Sequence, residues 1–319
     1  MLMDYNQALR QKTIGPRKTL VKKGTLDIGI VETTPVVWKE RLYRFEWIRD
    51  NAGGAGYWNN QEGTAYFRFT DMETEESTPA FGHGYAFGSA YVDSEGGKAY
   101  AFGVHGGGGG HRLDVFWSSD MERWESAVAL DFPTEWQLYN TSVCKGRGEY
   151  ILAVEIGGPK EVGGEGFTVV FAKSPDLIHW ELMPAADHIY TRERYSACPV
   201  IRYAAGGYYM IYLESMPCHR WMPYIVRTKD FVHFELGLRN PVMCFDDEDK
   251  KIQRPEKYTE EQIAYILNSI DCNNSDVDIC EFQGKTVILY SWGNQYGKEF
   301  LAQAEYDGSM EEFLTSFFE

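Results

Sequence analysis

The polar and apolar positions of this chain fall into short strands that repeat. Five stretches, 32–47, 89–104, 140–155, 197–214 and 276–292, each read as an apolar or alternating strand, a tight turn and an aromatic-rich strand. The turns are Lys39-Glu40, Ser94-Glu95-Gly96-Gly97, Gly146-Arg147-Gly148, Ala204-Ala205-Gly206-Gly207 and Gln283-Gly284. Tight turns, most of them glycine-bearing, between β-rich runs predict five hairpins. A second motif follows the hairpins: Asp, an apolar residue, two variable positions, an aromatic and Glu. It occurs at Asp120-Met121-Glu122-Arg123-Trp124-Glu125, Asp176-Leu177-Ile178-His179-Trp180-Glu181 and Asp230-Phe231-Val232-His233-Phe234-Glu235. A weaker copy begins at Asp71 and a degenerate one at Asp307. Chemistry would not recur in every unit, so these aspartates, with His179 and His233, are expected to build turns.

A period of roughly fifty residues means stacked supersecondary units, none able to bury its apolar face alone. Five units predict an all-β fold, a five-bladed β-propeller. The expected organisation is an N-terminal arm at 1–28 and one catalytic propeller at 29–319. The step from the fourth hairpin to the fifth is longer than the others, and its surplus predicts a helical insertion. Thr259 and Gln262 fit a capping box, and Ile263, Ile266, Leu267 and Ile270 recur at helical spacing.

Charge narrows the partners. A formal net charge of −16, with no clustered basic face, disfavours nucleic acid and anionic membrane surfaces. The one basic stretch, 10–23, reads either as an arm that docks on an acidic surface or as a solvated tail, and the arm at 1–28 could help form a homodimer. The N-terminus has no apolar leader segment, no run is long enough to cross a bilayer, and the six cysteines are scattered. Together these predict a cytoplasmic protein with reduced thiols. The glycine run 106–110 lacks the lysine and the strand-to-helix setting of a phosphate loop, so nucleotide binding is not expected.

In a propeller the first strand of every blade lines a central channel. Aligning the hairpins on their turns gives one ring position, occupied by Glu32, Ser89, Asn140, Ala197 and Asp276. Asp278 lies two residues on, hence on the same strand face. The second strands bring the neighbourhood of Glu46, His105, Glu155, Glu214 and Trp292 to the same mouth, which predicts an acid-lined, aromatic-rimmed pocket. Asp276, Asp278 and Asn140 also offer oxygen ligands suited to a structural divalent cation such as calcium, although no cofactor is required.

The five openings and the Asp-apolar-x-x-Trp-Glu segments resemble the five-bladed glycoside hydrolases of families 43, 62, 32, 68 and 117, from about Glu32 onward. The resemblance implies an acid in the first opening, an Asp in the third blade and an acid-x-Pro in the fourth. These fall on Glu32, near Asn140, and on Ala197-Cys198-Pro199. Two expected carboxylates are therefore missing, which implies a non-standard catalytic set closest in outline to family 117. The expected activity is exo-acting hydrolysis of a short, neutral oligosaccharide or glycoside. Candidate catalytic groups are Glu32 and Asp276 as base or tuning acid, and Glu193, His105 or Glu214 as general acid. Trp47, Asn140, Glu155, Arg192, Tyr195, Asp278 and Trp292 are candidates for substrate binding. The rival expectation is a carbohydrate-binding or degenerate propeller without turnover. A WD-type interaction propeller is disfavoured by the lack of regular Gly-His and Trp-Asp pairs.

Overall fold

The computed structural model of the chain describes residues 19–49, 65–164, 166–295 and 297–319. The expected turns do join antiparallel pairs. The first sheet contains β2 (Thr34–Trp38), β3 (Arg41–Ile48) and β4 (Tyr66–Asp71). The second contains β5 (Tyr85–Asp93), β6 (Lys98–His105), β7 (Arg112–Ser118) and β8 (Glu125–Asp131). The third contains β9 (Gln137–Lys145), β10 (Tyr150–Gly158), β11 (Thr168–Ser174) and β12 (Glu181–Leu182). The fourth contains β13 (Ser196–Ala204), β14 (Gly207–Met216), β15 (Arg220–Thr228) and β16 (Phe234–Leu236).

The fifth group contains β17 (Asn273–Phe282), β18 (Lys285–Gly293) and β19 (Glu299–Tyr306), with β1 (Leu20–Ile28) antiparallel to β19 at its edge. One parallel bridge, Trp221 to Asn273, links it to the fourth. Of the arm expected at 1–28, residues 1–18 lie outside the described residues, and 20–28 supply this edge strand. The first strands of the sheets touch in sequence, β2 with β5, β5 with β9, β9 with β13, β13 with β17, and β17 with β2. Apolar side chains fill the gaps between sheets. Phe171, Tyr208, Met210 and Phe231 pack in one such layer, and Ile211, Ile279, Tyr290 and Phe300 in the next.

The repeated aspartates are turns. In three outer loops a hydroxyl (Ser118, Ser174 or Thr228) accepts the N–H of Met121, Leu177 or Phe231. Those three apolar residues are buried at φ near +62°, +69° and +61°. Each aspartate accepts two further backbone N–H groups. The insertion carries the expected helix, Glu260–Asn268. The Thr259 hydroxyl accepts the Gln262 N–H at 3.2 Å, and the Gln262 side chain accepts the Thr259 N–H at 3.0 Å. It buries Ile266 and lays Tyr265 against Phe300, covering β19, while Leu267 and Ile270 stay exposed.

Candidate active site

The first strands do not start cleanly. Glu32, Phe87, Cys198 and Asp276 take positive φ of 55°, 51°, 49° and 49°. Register shifts follow in the second, fourth and fifth sheets, between Ala86 and Ser89, Ala197 and Val200, and Ser275 and Asp278. The third sheet has an equivalent shift beside Asn140. Such bulges re-aim a side chain, and left-handed non-glycine residues concentrate at functional sites. Here they turn Glu32, Phe87, Asn140, Cys198 and Asp276 into one cavity of about 290 Å³, which Val31, Tyr139, Glu155, Phe167, Tyr195, Leu213, Gln295 and Glu299 complete.

Of the ring position read from the sequence, the structure brings Glu32, Asn140 and Asp276 into this cavity and leaves Ser89 and Ala197 out of its lining. Those two lie deeper in the sheets, where Ser89 shares a hydrogen bond with Thr141 at 2.7 Å. Phe87 and Cys198 take their places. Asp278, on the far side of its bulge, lies in the channel below the cavity and is tied to Arg202. Its expected contact with substrate gives way to a bond between the fourth and fifth sheets.

On the second strands a one-residue slip reverses the face. Glu155 is in the cavity, whereas Glu46 is buried against Arg44, Arg68 and Thr70. Glu214 faces Arg194 at 3.3 Å and Tyr212 at 3.3 Å, away from the cavity. Trp292 stacks on Phe300 at 4.3 Å and donates its Nε1–H to Thr25, inside the fifth sheet's core. Trp47 stands behind Phe87 at 4.9 Å rather than on the cavity surface. His105 is exposed against the Tyr85 ring, and Glu193 is exposed outside the lining. Arg192 donates to the carbonyls of Val162, Ala185 and Ala186, so it ties loops together. Tyr195 does line the cavity.

The cavity has two characters. One wall is a series of edge-on aromatic pairs, Phe87 to Tyr139 at 5.3 Å, Tyr139 to Phe167 at 4.9 Å and Phe167 to Tyr195 at 5.5 Å. The glycine loop contributes here. A Cβ at Gly108 would come within 2.7 Å of the Phe87 ring, and the Gly109 N–H bonds the Leu138 carbonyl at 3.1 Å. The loop is thus pinned against the wall. Likewise a Cβ at Gly157 would meet Tyr139 at 2.7 Å and Phe167 at 2.9 Å. Gly157→Ala should push both rings into the cavity, raising KM about tenfold with a smaller change in kcat, as steady-state kinetics on any turned-over glycoside would read.

The lining also holds four acids, Glu32, Glu155, Asp276 and Glu299. Glu155 Oε2 accepts the Cys198 N–H at 2.6 Å and Asn140 Nδ2 at 3.1 Å. Burial still pushes its carboxyl up to about 7, with Asp276 adding to the rise against those two hydrogen bonds. Glu32 is driven well above the carboxylate range by burial, then by Asp276; Arg49 opposes this, and Glu155 and Glu299 add to it. Burial, with Asp276 and Glu155 beside it, likewise keeps the Cys198 thiol protonated. Ser275 donates to Asp276 at 2.9 Å. Buried carboxyls whose environments push their proton affinities apart mark acid–base sites. Sequence reasoning missed Glu299, the first residue of β19. Its signal was a charge opening the apolar run Phe300-Leu301-Ala302. Among the described residues no group of His, Cys, Asp and Glu is arranged to hold a metal ion.

Over most of its length the chain matches the structures of five-bladed β-propeller glycoside hydrolases. The α-L-arabinofuranosidase of Podospora anserina, solved with cellotriose, has a TM-score of 0.59 at 8% identity, covering 92% of this chain and 98% of that one. BT0996, solved as a complex with RGII, has a TM-score of 0.58 at 12% identity, covering 94% of each protein. The GH32 β-fructofuranosidase of Bombyx mori has a TM-score of 0.52 at 11% identity, covering 93% of this chain and 64% of that one. No family model and no curated protein sequence matches. At these identities the likeness is one of fold.

Proposed function

We propose that the protein is a glycoside hydrolase that removes terminal units from a short oligosaccharide or glycoside lacking acidic groups. Residues 29–319 act as one propeller, whose closure between the fifth and first sheets is supported by the β17–β2 contact. The observation that carries the reading is Glu155, a buried carboxyl raised to about 7 in a cavity shared with Asp276. Glycosidic cleavage needs one acid to protonate the leaving oxygen and one carboxylate to activate water or attack the sugar. Glu155 serves as that acid and Asp276 as the carboxylate. Glu32, kept protonated, donates a hydrogen bond to a sugar hydroxyl. A cavity of about 290 Å³ holds a single sugar ring more readily than a running polysaccharide, which favours exo-action.

The test is a panel of nitrophenyl glycosides and plant or algal oligosaccharides. At least one should turn over, and Asp276→Asn should lower its kcat/KM by about 10²-fold or more. Sugar binding without turnover, unaffected by Asp276→Asn, would instead establish a recognition propeller. Asn140 and Ala197, standing where carboxylates are expected, are what favour that second reading.

A further inference from the structure

We propose that Cys198 is a positioning residue that joins the two working carboxyls, its backbone N–H holding Glu155 and its thiol S–H holding Asp276. The proposal rests on the reading of Glu155 as the acid and Asp276 as the carboxylate, and adds the residue that fixes one against the other.

Cys198 stands in the bulge between Ala197 and Val200, so it has no partner in the ladder between β13 and β14. The extra residue of a bulge leaves its backbone groups to other partners. The freed N–H reaches the third sheet, where Glu155 Oε2 accepts it at 2.6 Å. Pro199 follows and brings no N–H of its own. With φ at 49°, Cys198 holds a backbone conformation that glycine would take at lower cost. A side chain is nonetheless present, and it lines both the cavity and the channel space beneath it, as Asp276 does.

The surroundings of the sulfur set the direction of its hydrogen. Asn140 Nδ2 donates to Glu155 Oε2 at 3.1 Å and to the Cys198 sulfur at 3.5 Å. The sulfur is thus an acceptor toward Asn140, and its single hydrogen remains to be given. The acceptor it meets is the Asp276 carboxylate. Burial, with Asp276 and Glu155 beside it, keeps the thiol protonated, as a donor must be, whereas a nucleophilic role would need the thiolate. Asp276 Oδ2 also accepts from the Ser275 hydroxyl at 2.9 Å, so two donors fix the plane of this carboxylate. An attacking or water-activating group works only from a narrow range of positions, and misplacement by about 1 Å is costly.

The infrared S–H stretch reads the link directly on the full-length protein. Wild type minus Cys198→Ser isolates this band from those of the other cysteines. It should lie below the position of a free thiol, and the same subtraction in an Asp276→Ala background should return it toward that position. Kinetics reads the consequence. On a glycoside that is turned over, Cys198→Ala should lower kcat about tenfold with KM changed by less than about twofold. Cys198→Ser, which restores a donor, should recover all but about threefold of the rate. Serine and alanine leave similar space behind, so a loss of packing alone would strike both variants equally. Thermal unfolding verifies the fold of each variant, and should Cys198→Ala not fold, the band and Cys198→Ser still decide. A free-thiol band in the wild type, a band that Asp276→Ala leaves in place, or a Cys198→Ser no more active than Cys198→Ala overturns the proposal. Turnover with a free-thiol band sinks this inference alone. A shifted band with no glycoside turned over sinks the hydrolase reading and leaves the link through Cys198 standing.

Discussion

Replacing Glu155 with Gln should lower kcat/KM about 10²–10⁴-fold on any glycoside the protein turns over, while leaving the fold intact. The amide keeps the size of the side chain and can still accept from the Cys198 N–H and Asn140, both on Oε2. What it loses is the proton for the leaving oxygen. The pH profile gives a sharper reading than the rate. The folded carboxyl sits near 7, raised by burial against its two hydrogen bonds, and it acts only when protonated. Activity carried by Glu155 is therefore full well below pH 7 and falls as pH rises through that value. Two further results follow if the assignment holds. Substrates with a low-pKa leaving group such as dinitrophenol, which need little protonation, should lose far less than natural glycosides. Asn140→Ala removes one of the two bonds that stabilise the carboxylate, so the alkaline limb should move upward. An unchanged alkaline limb in Glu155→Gln, or equal losses on both kinds of leaving group, would assign the acid elsewhere.

How far the site could be read from the sequence follows from the bulges. The hairpins and turn aspartates were legible because turn chemistry and strand alternation are local. Thr259 and Gln262 were legible for the same reason. The ring position was not fully legible, because counting back from a turn assumes that a strand keeps its register. An extra residue at Phe87-Gly88 and at Cys198-Pro199 breaks that assumption, and no composition rule announces it. On the second strands the error was a single residue, yet it exchanged Glu214 for Leu213 and moved the chosen acid to the opposite face. Glu155 escaped because the turn alignment placed it correctly in the third sheet. Long-range pairing was also invisible. The sequence of β1 alternates weakly and contains Lys22, Lys23 and Asp27, so it resembles a solvated arm. Only its pairing with β19, near the opposite terminus, makes it the edge of a sheet.

That edge strand leads to the second large effect: Lys22→Met should destabilise the protein by about 3–5 kcal/mol, whereas Lys23→Met should cost about 1 kcal/mol or less. The two lysines are neighbours on β1 with different surroundings. Lys23 pairs with Glu305 at 3.2 Å with its side chain 38% exposed. The Lys22 side chain is 7% exposed, and its Nζ donates to the Cys244 carbonyl at 2.6 Å, Asp249 at 2.7 Å and Asn274 at 3.1 Å. Asp249 is fully buried and also accepts from the Tyr290 hydroxyl at 2.6 Å. One ammonium therefore fastens the first strand, the insertion and the inner strands of the fifth sheet together. Methionine fills the stem's volume but leaves the Asp249 carboxylate without its counter-ion, and the penalty for an uncompensated buried charge dominates. Asp271 adds a pH dependence with a defined sign. Burial, and then Asp249, raise its carboxyl from 3.8 to about 8. Its contribution to stability is complete below the ordinary carboxylate range and is lost as pH rises through about 8. Asp271→Asn should accordingly flatten part of the decline in stability between about pH 5 and pH 9. Urea unfolding of the wild type and the three variants across that range measures both effects. Equal losses in the two lysine variants would show that the buried network does not hold the edge strand, because exposure alone would then account for neither.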